Sequence, residues 1–454
     1  MLESLNAWRR PFTLTFFLDL EEACETSKAA AAIREFEKQL KASTHPVKER
    51  IHFLRMFLLP NSEKIYKQIV FSIVFDGEKL EFLNLLVDGL KDALLEVLKN
   101  VAGRSELHAS QTNADLVSWF LSQNLNPATY HVGTVWNSVA EIKNDRKVYL
   151  EISSFLDSQD DLGQLPPQEI KKLIKERVKN RLPKRISTGA TPALKLLKHL
   201  DVQLLILFFL LIPTLPAILI VVVMKWAMFS LLWLVPAVAL ALILGLSGFI
   251  RCLEFLETDH EVWPDESHLK HIAANENNGV QNQISLVVDV KSSRARRAII
   301  TTVLWLADAV SRQWYTRGRL SGIDTIHFAR FFLLKGKRRM LFMSDYDGSW
   351  SRYLFDFTGV GALAVVPIWS SLRGCPKARF LRWPTVGFEE RFLPFTRYCQ
   401  IKVQCWYRGY PQLTVSEIKR NEKIRLGLFK QSSDQEILDW LSVSYTHLTL
   451  PTKA

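Results

Sequence analysis

Apolar residues are distributed along this chain in two ways. Between Asp201 and Arg251 they form an almost unbroken run in which Lys225 is the only formal charge, whereas on either side they alternate or recur every three to four residues. The run divides at Met224-Lys225-Trp226 into Val202 to Val223 and Ala227 to Ile250. Each piece is a little over the roughly 20 residues that a spanning helix needs. As one helix rising about 1.5 Å per residue, the run would reach roughly 70 Å, more than twice a hydrocarbon core of about 30 Å. The pattern therefore predicts a two-helix transmembrane hairpin. It places Lys225 and Trp226 at the far interface, sparing the lysine a mid-bilayer cost of roughly 2.5–3.5 kcal/mol. Pro213, Pro216 and Pro236 are compatible with kinked spans. A re-entrant or interfacial pair is the competing reading.

Outside the run the pattern is that of strands and helices. Alternation predicts a strand over 13–20 and the helical period a helix over 22–40; a similar pair follows at 283–290 and 294–314. Each pair leads into nearly the same nine residues, Ile51 to Leu59 and Ile326 to Leu334, which both read IHFxRxFLL. Each copy is followed, after a basic turn, by an apolar run ending in Phe75-Asp76-Gly77 or Tyr346-Asp347-Gly348. A helix then follows, striped by Leu80, Leu83, Val87 and Leu90 in the first copy and by Trp350, Tyr353, Leu354 and Phe357 in the second. Closing strands are expected in each half near 130–136 and 399–407. Strand, helix, strand, strand, helix, strand is the split ferredoxin-like order. The expected fold is thus α+β, with two ferredoxin-like units at 1–150 and 283–443, joined by a basic linker (151–200), the transmembrane hairpin (201–251) and a polar connector (252–282). Two units flanking a hairpin share a membrane face and can pair. Thr414-Val415-Ser416-Glu417 reads as a capping box that starts a helix running to about Leu426, with Gly427 as its stop.

The formal charge is +12 over 454 residues, and its placement matters more than its size. From Lys171 to Lys198 there are ten Lys or Arg against one acid, Glu176. This segment directly precedes the first span, so the positive-inside rule puts that flank, and the soluble units, in the cytoplasm. Basic residues there also attract anionic headgroups at about 1 kcal/mol each. Lys171 to Arg181 reads either as a basic helix on the headgroups or as a solvated helix. The clusters Arg294-Ala295-Arg296-Arg297 and Lys335 to Arg339 come without a recognition motif, which favours a membrane-facing or solvated role over nucleic-acid binding. Five scattered cysteines (24, 252, 375, 399, 405) suit reduced thiols. Cys399 and Cys405 are expected on one face of one strand, too far apart for a bond to each other. Met1 to Arg10 lacks the apolar core of a signal peptide. No zinc spacing, P-loop, dinucleotide fingerprint, nucleophile elbow or metalloprotease helix occurs. Ser444 to Ala454 looks like a translated sequencing-adapter tail and is set aside from the fold.

The IHFxR strand, the Asp347-Gly348-Ser349-Trp350 turn and Trp406-Tyr407-x-x-Tyr410-Pro411-x-Leu413-Thr414-Val415 together resemble a largely uncharacterised group of bacterial membrane-associated proteins. The resemblance covers about two-thirds of the chain. It implies a dimeric α+β barrel, distantly similar to that of dye-decolourising peroxidases and chlorite dismutases. It also implies a bacterial cytoplasmic membrane as the location and haem as a candidate cofactor. Because this fold hosts haem enzymes, monooxygenases and binding modules alike, two functions are expected. One is a membrane-anchored, small-molecule-binding, peroxidase-related redox protein. The other is a non-catalytic membrane scaffold that binds an anionic lipid headgroup or a partner protein.

The candidate residues follow from both readings. On a regular strand His327 and Arg330 point to opposite faces, as do His52 and Arg55, so neither pair is expected to share a site. Arg330 and Arg55 are candidates for holding an anionic group, since a guanidinium fork suits carboxylate or phosphate; a structural ion pair is the alternative. His52 and His327 are candidate ligand-binding residues or satisfied core histidines. Asp347 and Asp76 resemble the distal aspartate of the peroxidases, a proton shuttle in a Gly-x-x-Asp-Gly motif, but Ser344 and Ile73 stand where that glycine would be. The alternative is an Asp-Gly turn that caps the next helix. Asp347 and Arg330 are the candidate catalytic pair, with Arg55, Asp76, His327 and His52 around the ligand. No proximal haem histidine is evident, because His260, His268 and His271 lie in the connector. His268 and His271 alone make a weak metal pair.

Overall fold

The alternating and helical patterns become strands and helices, with boundaries displaced by a few residues. The computed structural model describes residues 11–22, 24–61, 65–103, 112–135, 137–159, 165–182, 228–257, 260–273, 276, 279–313, 323–359, 362–381 and 383–444. The expected first span at 202–223, the Lys225-Trp226 turn, the linker from 183 and the adapter-like tail from Tyr445 lie outside them.

The first half runs β1 (Phe12–Asp19), α1 (Thr26–Ala42), β2 (Ile51–Pro60), β3 (Tyr66–Phe75), α2 (Lys79–Leu98), α3 (Asn113–Ser122), β4 (Thr129–Val132), α4 (Val139–Asp157) and α5 (Pro167–Val178). The apolar helix α6 (Met228–Leu256) and the short α7 (Glu266–Ala273) follow. The second half runs β5 (Gln281–Asp289), α8 (Arg294–Gln313), β6 (Ile326–Leu334), β7 (Arg339–Asp347), α9 (Trp350–Thr358), α10 (Ala362–Trp369), a small hairpin of β8 (Ala378–Arg379) and β9 (Trp383–Pro384), α11 (Phe388–Cys399), β10 (Cys405–Arg408), α12 (Val415–Gly427) and α13 (Asp434–Ser444).

Two four-stranded antiparallel sheets result, in the orders β1-β3-β2-β10 and β4-β6-β7-β5. The closing strands form, but each lies in the sheet of the opposite half. β4 pairs with β6 (Thr129↔Phe331 to Val132↔Phe328), and β10 pairs with β2 (Cys405↔Met56 to Arg408↔Phe53). Cys399 therefore ends a helix and is not on the strand with Cys405. The described cysteines are free, and burial pushes the thiols of Cys375, Cys399 and Cys405 up, away from the reactive thiolate.

The sheets face each other, and helices cover their outer sides. Phe16, Leu54, Met56 and Phe71 pack beneath α1, α2 and α3, while Leu286, Phe331 and Phe342 pack beneath α8 to α11. Between the sheets lie Phe53, Phe57, Val70 and Val74 against Phe328, Phe332, Leu341 and Met343. The capping boxes Ser138/Glu141 and Thr414/Glu417 start α4 and α12. These two helices close one end of the space between the sheets with Val139, Ile142, Leu413 and Ile418. Among the described residues one helix is long and apolar enough to cross a membrane, Ala237–Leu256 within α6, and its apolar side chains are exposed.

α4 and α12 are also bound by Arg425 Nε donating to Asp145 Oδ1 at 2.6 Å, both side chains being buried. Desolvation outweighs the attraction of Arg425 and raises the Asp145 carboxyl from 3.8 to about 6. A carboxyl whose folded pKa lies above its unfolded value binds its proton more tightly when folded. Its contribution to stability is therefore full below the unfolded value and is lost as pH rises through the folded one. The unfolding midpoint of the native chain, measured against Asp145→Asn, is expected to fall between pH 3.8 and about 6. A parallel pair of pH profiles would contradict this.

Candidate functional site

The six candidate catalytic and ligand-binding residues, His52, Arg55, Asp76, His327, Arg330 and Asp347, converge on the seam between the sheets, for a reason that the strand pattern alone conceals. The register of β2 against β3 shifts between Ile51 and Phe53, and that of β6 against β7 shifts between Ile326 and Phe328. Each shift is a bulge centred on the histidine. A bulge adds one residue to a strand and reverses the alternation beyond it. Ile51 and Ile326 accordingly join the outer clusters beneath the helices. His52 and His327 turn inward, where they meet Phe328 and Phe53 respectively at centroid distances of 5.3 and 5.2 Å. The expectation that each histidine and its arginine occupy opposite faces is thus corrected: both face the seam.

The arginines cross the seam in opposite directions. Arg55, on β2, donates to Ile284 O (2.9 Å), Ser285 Oγ (2.9 Å) and Ser344 O (2.9 Å) of the other sheet, and to the Asp345 carboxylate. Arg330, on β6, donates to Thr13 Oγ1 (3.3 Å) and Ser72 Oγ (2.8 Å) of the first sheet, and to Asp345 Oδ2 (3.2 Å). The Trp406 indole also donates to Asp345 Oδ1 at 3.0 Å. Arg55, Arg330 and Asp345 are each 0% exposed. Burial pulls the Arg330 pKa down to about 10, with Asp345 opposing and Arg55 adding to the shift, so the guanidinium stays charged near neutral pH. The anion held by the two arginines is therefore a side chain of this protein.

The histidines are held by the Asp-Gly aspartates. His52 Nε2 lies 2.9 Å from Asp76 Oδ1, and His327 Nε2 lies 2.7 Å from Asp347 Oδ1. The second oxygen of each carboxylate accepts from the first N–H of a distant helix: Asp76 Oδ2 from Val139 of α4 (2.6 Å), and Asp347 Oδ2 from Val415 of α12 (2.7 Å). The helices directly after the Asp-Gly turns are capped instead by Glu78 and Ser349. The expectation that each aspartate caps the next helix is thus corrected: Asp76 and Asp347 bind the first turns of α4 and α12 instead. Each carboxylate ties a sheet to the helix that leaves the exchanged strand. With Asp76 accepting from Nε2–H, His52 Nδ1 is left to accept the Tyr410 hydroxyl at 2.9 Å. His327 Nδ1 is buried without a partner.

A carboxylate–histidine pair can orient a general base. That role needs access to a substrate, and both histidines are 0% exposed, with aromatic rings packed on them. Among the described residues no group of three or more His, Cys, Asp or Glu could hold a metal ion. The imidazole of His268 lies 2.9 Å from Arg397 O, and the side chain of His271 is outside the described residues. Sequence reasoning missed Asp345, Ser72, Ser285 and Thr13. The available signal was a carboxylate set in the apolar run Met340 to Tyr346, on the same strand face as Leu341 and Met343, where an acid is costly unless paired. Comparison with family models, with curated proteins and with solved structures finds no match for this chain.

Proposed function

We propose that this protein is a membrane-anchored, non-catalytic binding module that recognises an anionic lipid headgroup at the bilayer surface. The single observation that carries the reading is Asp345: it occupies both seam arginines, Arg55 and Arg330, which would otherwise bind a small anionic ligand. The residues also do not fit haem. His52 and His327 each have Nε2 engaged by a carboxylate, and both lie under aromatic rings. Asp347 is committed to His327 and to the start of α12. In this reading the body is a pair of ferredoxin-like units forming a dimeric α+β barrel whose fourth strands are exchanged. Residues 201–251 form the spanning hairpin, and the basic segment 171–198 sets the body on the cytoplasmic face of a bacterial membrane. Exposed Leu240, Ile243, Leu244 and Leu246 on α6 favour the anchor.

Two assays test the reading. Washing membranes that carry the full chain with alkaline carbonate is expected to leave it in the pellet; release into the wash would refute the anchor. Purified in dodecyl maltoside with equal phosphatidic acid and phosphatidylcholine, the chain is expected to retain the acidic lipid in excess. Equal retention would refute headgroup recognition.

A further inference from the structure

At the C-terminal end of α6, where the apolar surface gives way to charge, lies a cavity of about 290 Å³. Five cations line it, Arg251, Lys291, Arg296, Lys377 and Arg379, against two carboxylates, Glu254 and Glu257. Both carboxylates are engaged. Glu257 accepts from Arg296 Nε (2.5 Å), Arg296 Nη2 (2.9 Å) and Lys291 Nζ (2.7 Å). Glu254 takes Arg251 at 2.5 Å and the backbone N–H groups of Phe380 and Leu381 at 3.2 and 2.8 Å. Lys377 and Arg379 make no ion pair among the described residues. Arg296 is 1% exposed, yet its Nη1 is buried without a hydrogen-bond partner. A buried guanidinium N–H left unmatched costs free energy unless an acceptor arrives.

The rim of the cavity is apolar. Phe380 and Leu381 both have left-handed backbone (φ 53° and 60°), so the β8–β9 hairpin turns sharply at the foot of α6. Glu254 holds this turn, and Arg251 stacks on the Phe380 ring at 5.4 Å. Phe255, Leu256, Phe380, Trp383 and Val386 are exposed around it, Val386 at 99% and Phe255 at 86%. An aromatic and aliphatic rim beside cations, at the end of a helix able to cross a membrane, matches the interface where lipid phosphates lie.

We infer that this cavity is a phosphate site for the headgroup of an acidic phospholipid, with Arg296 Nη1 as the buried donor and Lys377 and Arg379 as the solvent-side cations. The inference rests on the proposed headgroup reading and assigns it a location. The test is calorimetric titration of the full chain in dodecyl maltoside with dioctanoyl phosphatidic acid, dioctanoyl phosphatidylcholine, glycerol 3-phosphate and inorganic phosphate. Phosphatidic acid is expected to bind more tightly than phosphatidylcholine, and Lys377→Gln and Arg379→Gln to weaken it by about fivefold each. Arg296→Gln is expected to weaken it further; because that residue is buried, the two exposed variants decide the matter if it fails to fold. Competition by glycerol 3-phosphate or inorganic phosphate would identify the phosphate alone as the ligand, whereas binding of the lipid only would show that the acyl chains at the rim contribute. Equal affinity for phosphatidylcholine, or phosphatidic acid affinity unchanged in both exposed variants, would overturn the site. Affinity that survives while the carbonate wash releases the chain would refute the anchor and leave the phosphate site standing; retention in the membrane without this affinity would refute the site alone.

Discussion

Asp345→Asn is expected to destabilise the protein more than any other single substitution in the seam. The carboxylate is the one anion shared by Arg55 and Arg330, and all three side chains are fully buried. Removing one member of a buried ion pair costs about 3–5 kcal/mol, because the partner is left charged and unpaired. Here two guanidinium groups lose their counter-ion together, and the new amide would set N–H donors against N–H donors, so the upper part of that range is expected. Since a whole domain is stable by only about 5–15 kcal/mol, the variant should unfold at much lower denaturant. The 13 tryptophans, Trp406 beside Asp345 among them, provide a global fluorescence signal for unfolding. Replacing all three charges with apolar residues, Asp345→Leu with Arg55→Met and Arg330→Met, should recover most of the loss. An Asn variant within about 1 kcal/mol of the native chain would show that Asp345 is not the counter-ion, since one ordinary neutral hydrogen bond contributes about that much.

The second large effect is expected at the ends of the exchanged strands. A Cβ built on Gly133 would stand 1.8 Å from Ile326 O, and one on Gly409 would stand 2.3 Å from Ile51 O. Both obstacles are backbone, so no rotamer change relieves them. The N–H of Gly133 bonds to His327 O at 2.7 Å and that of Gly409 to His52 O at 2.8 Å, which pins each exchanged strand to the bulge of its host. Gly133→Ala should push β4 off β6 at or above the roughly 1–3 kcal/mol typical of overpacking. Hydrogen exchange would show the amides of Ala128 and of position 133, which donate to Phe331 O and His327 O of β6, losing protection before those of β7. Unchanged protection and stability would mean that β4 is not seated on β6 in this way.

Much of this architecture was legible in the sequence. The two IHFxRxFLL segments became β2 and β6, both Asp-Gly turns ended strands, and Trp350, Tyr353, Leu354 and Phe357 formed the buried stripe of α9. Leu80 departed from its expected stripe: it sits in the first turn of α2 and is 47% exposed. Strand exchange was illegible because alternation fixes which face of a strand is apolar but not which sheet edge receives it. The bulges were illegible for a related reason. One extra residue at His52 and at His327 reverses the local phase, and a period-2 pattern read straight through it assigns the histidines to the wrong face. Arg55 and Arg330 were read as candidates for holding an anionic ligand, with a structural ion pair as the alternative; the anion beside them is Asp345, on the strand next to that of Arg330 and in the sheet facing Arg55.

The seam is proposed to be filled by the protein's own side chains and to take no small-molecule ligand. That proposal is tested most directly by an absorption spectrum, with a pyridine haemochrome assay, of the full chain expressed with added haem and purified in detergent. With Asp345 between the arginines and Asp76 and Asp347 on the histidines, no Soret band above that of an unrelated membrane protein prepared alongside is expected. A stoichiometric haem signal, abolished by His327→Ala or His52→Ala, would contradict it and make the seam a cofactor pocket.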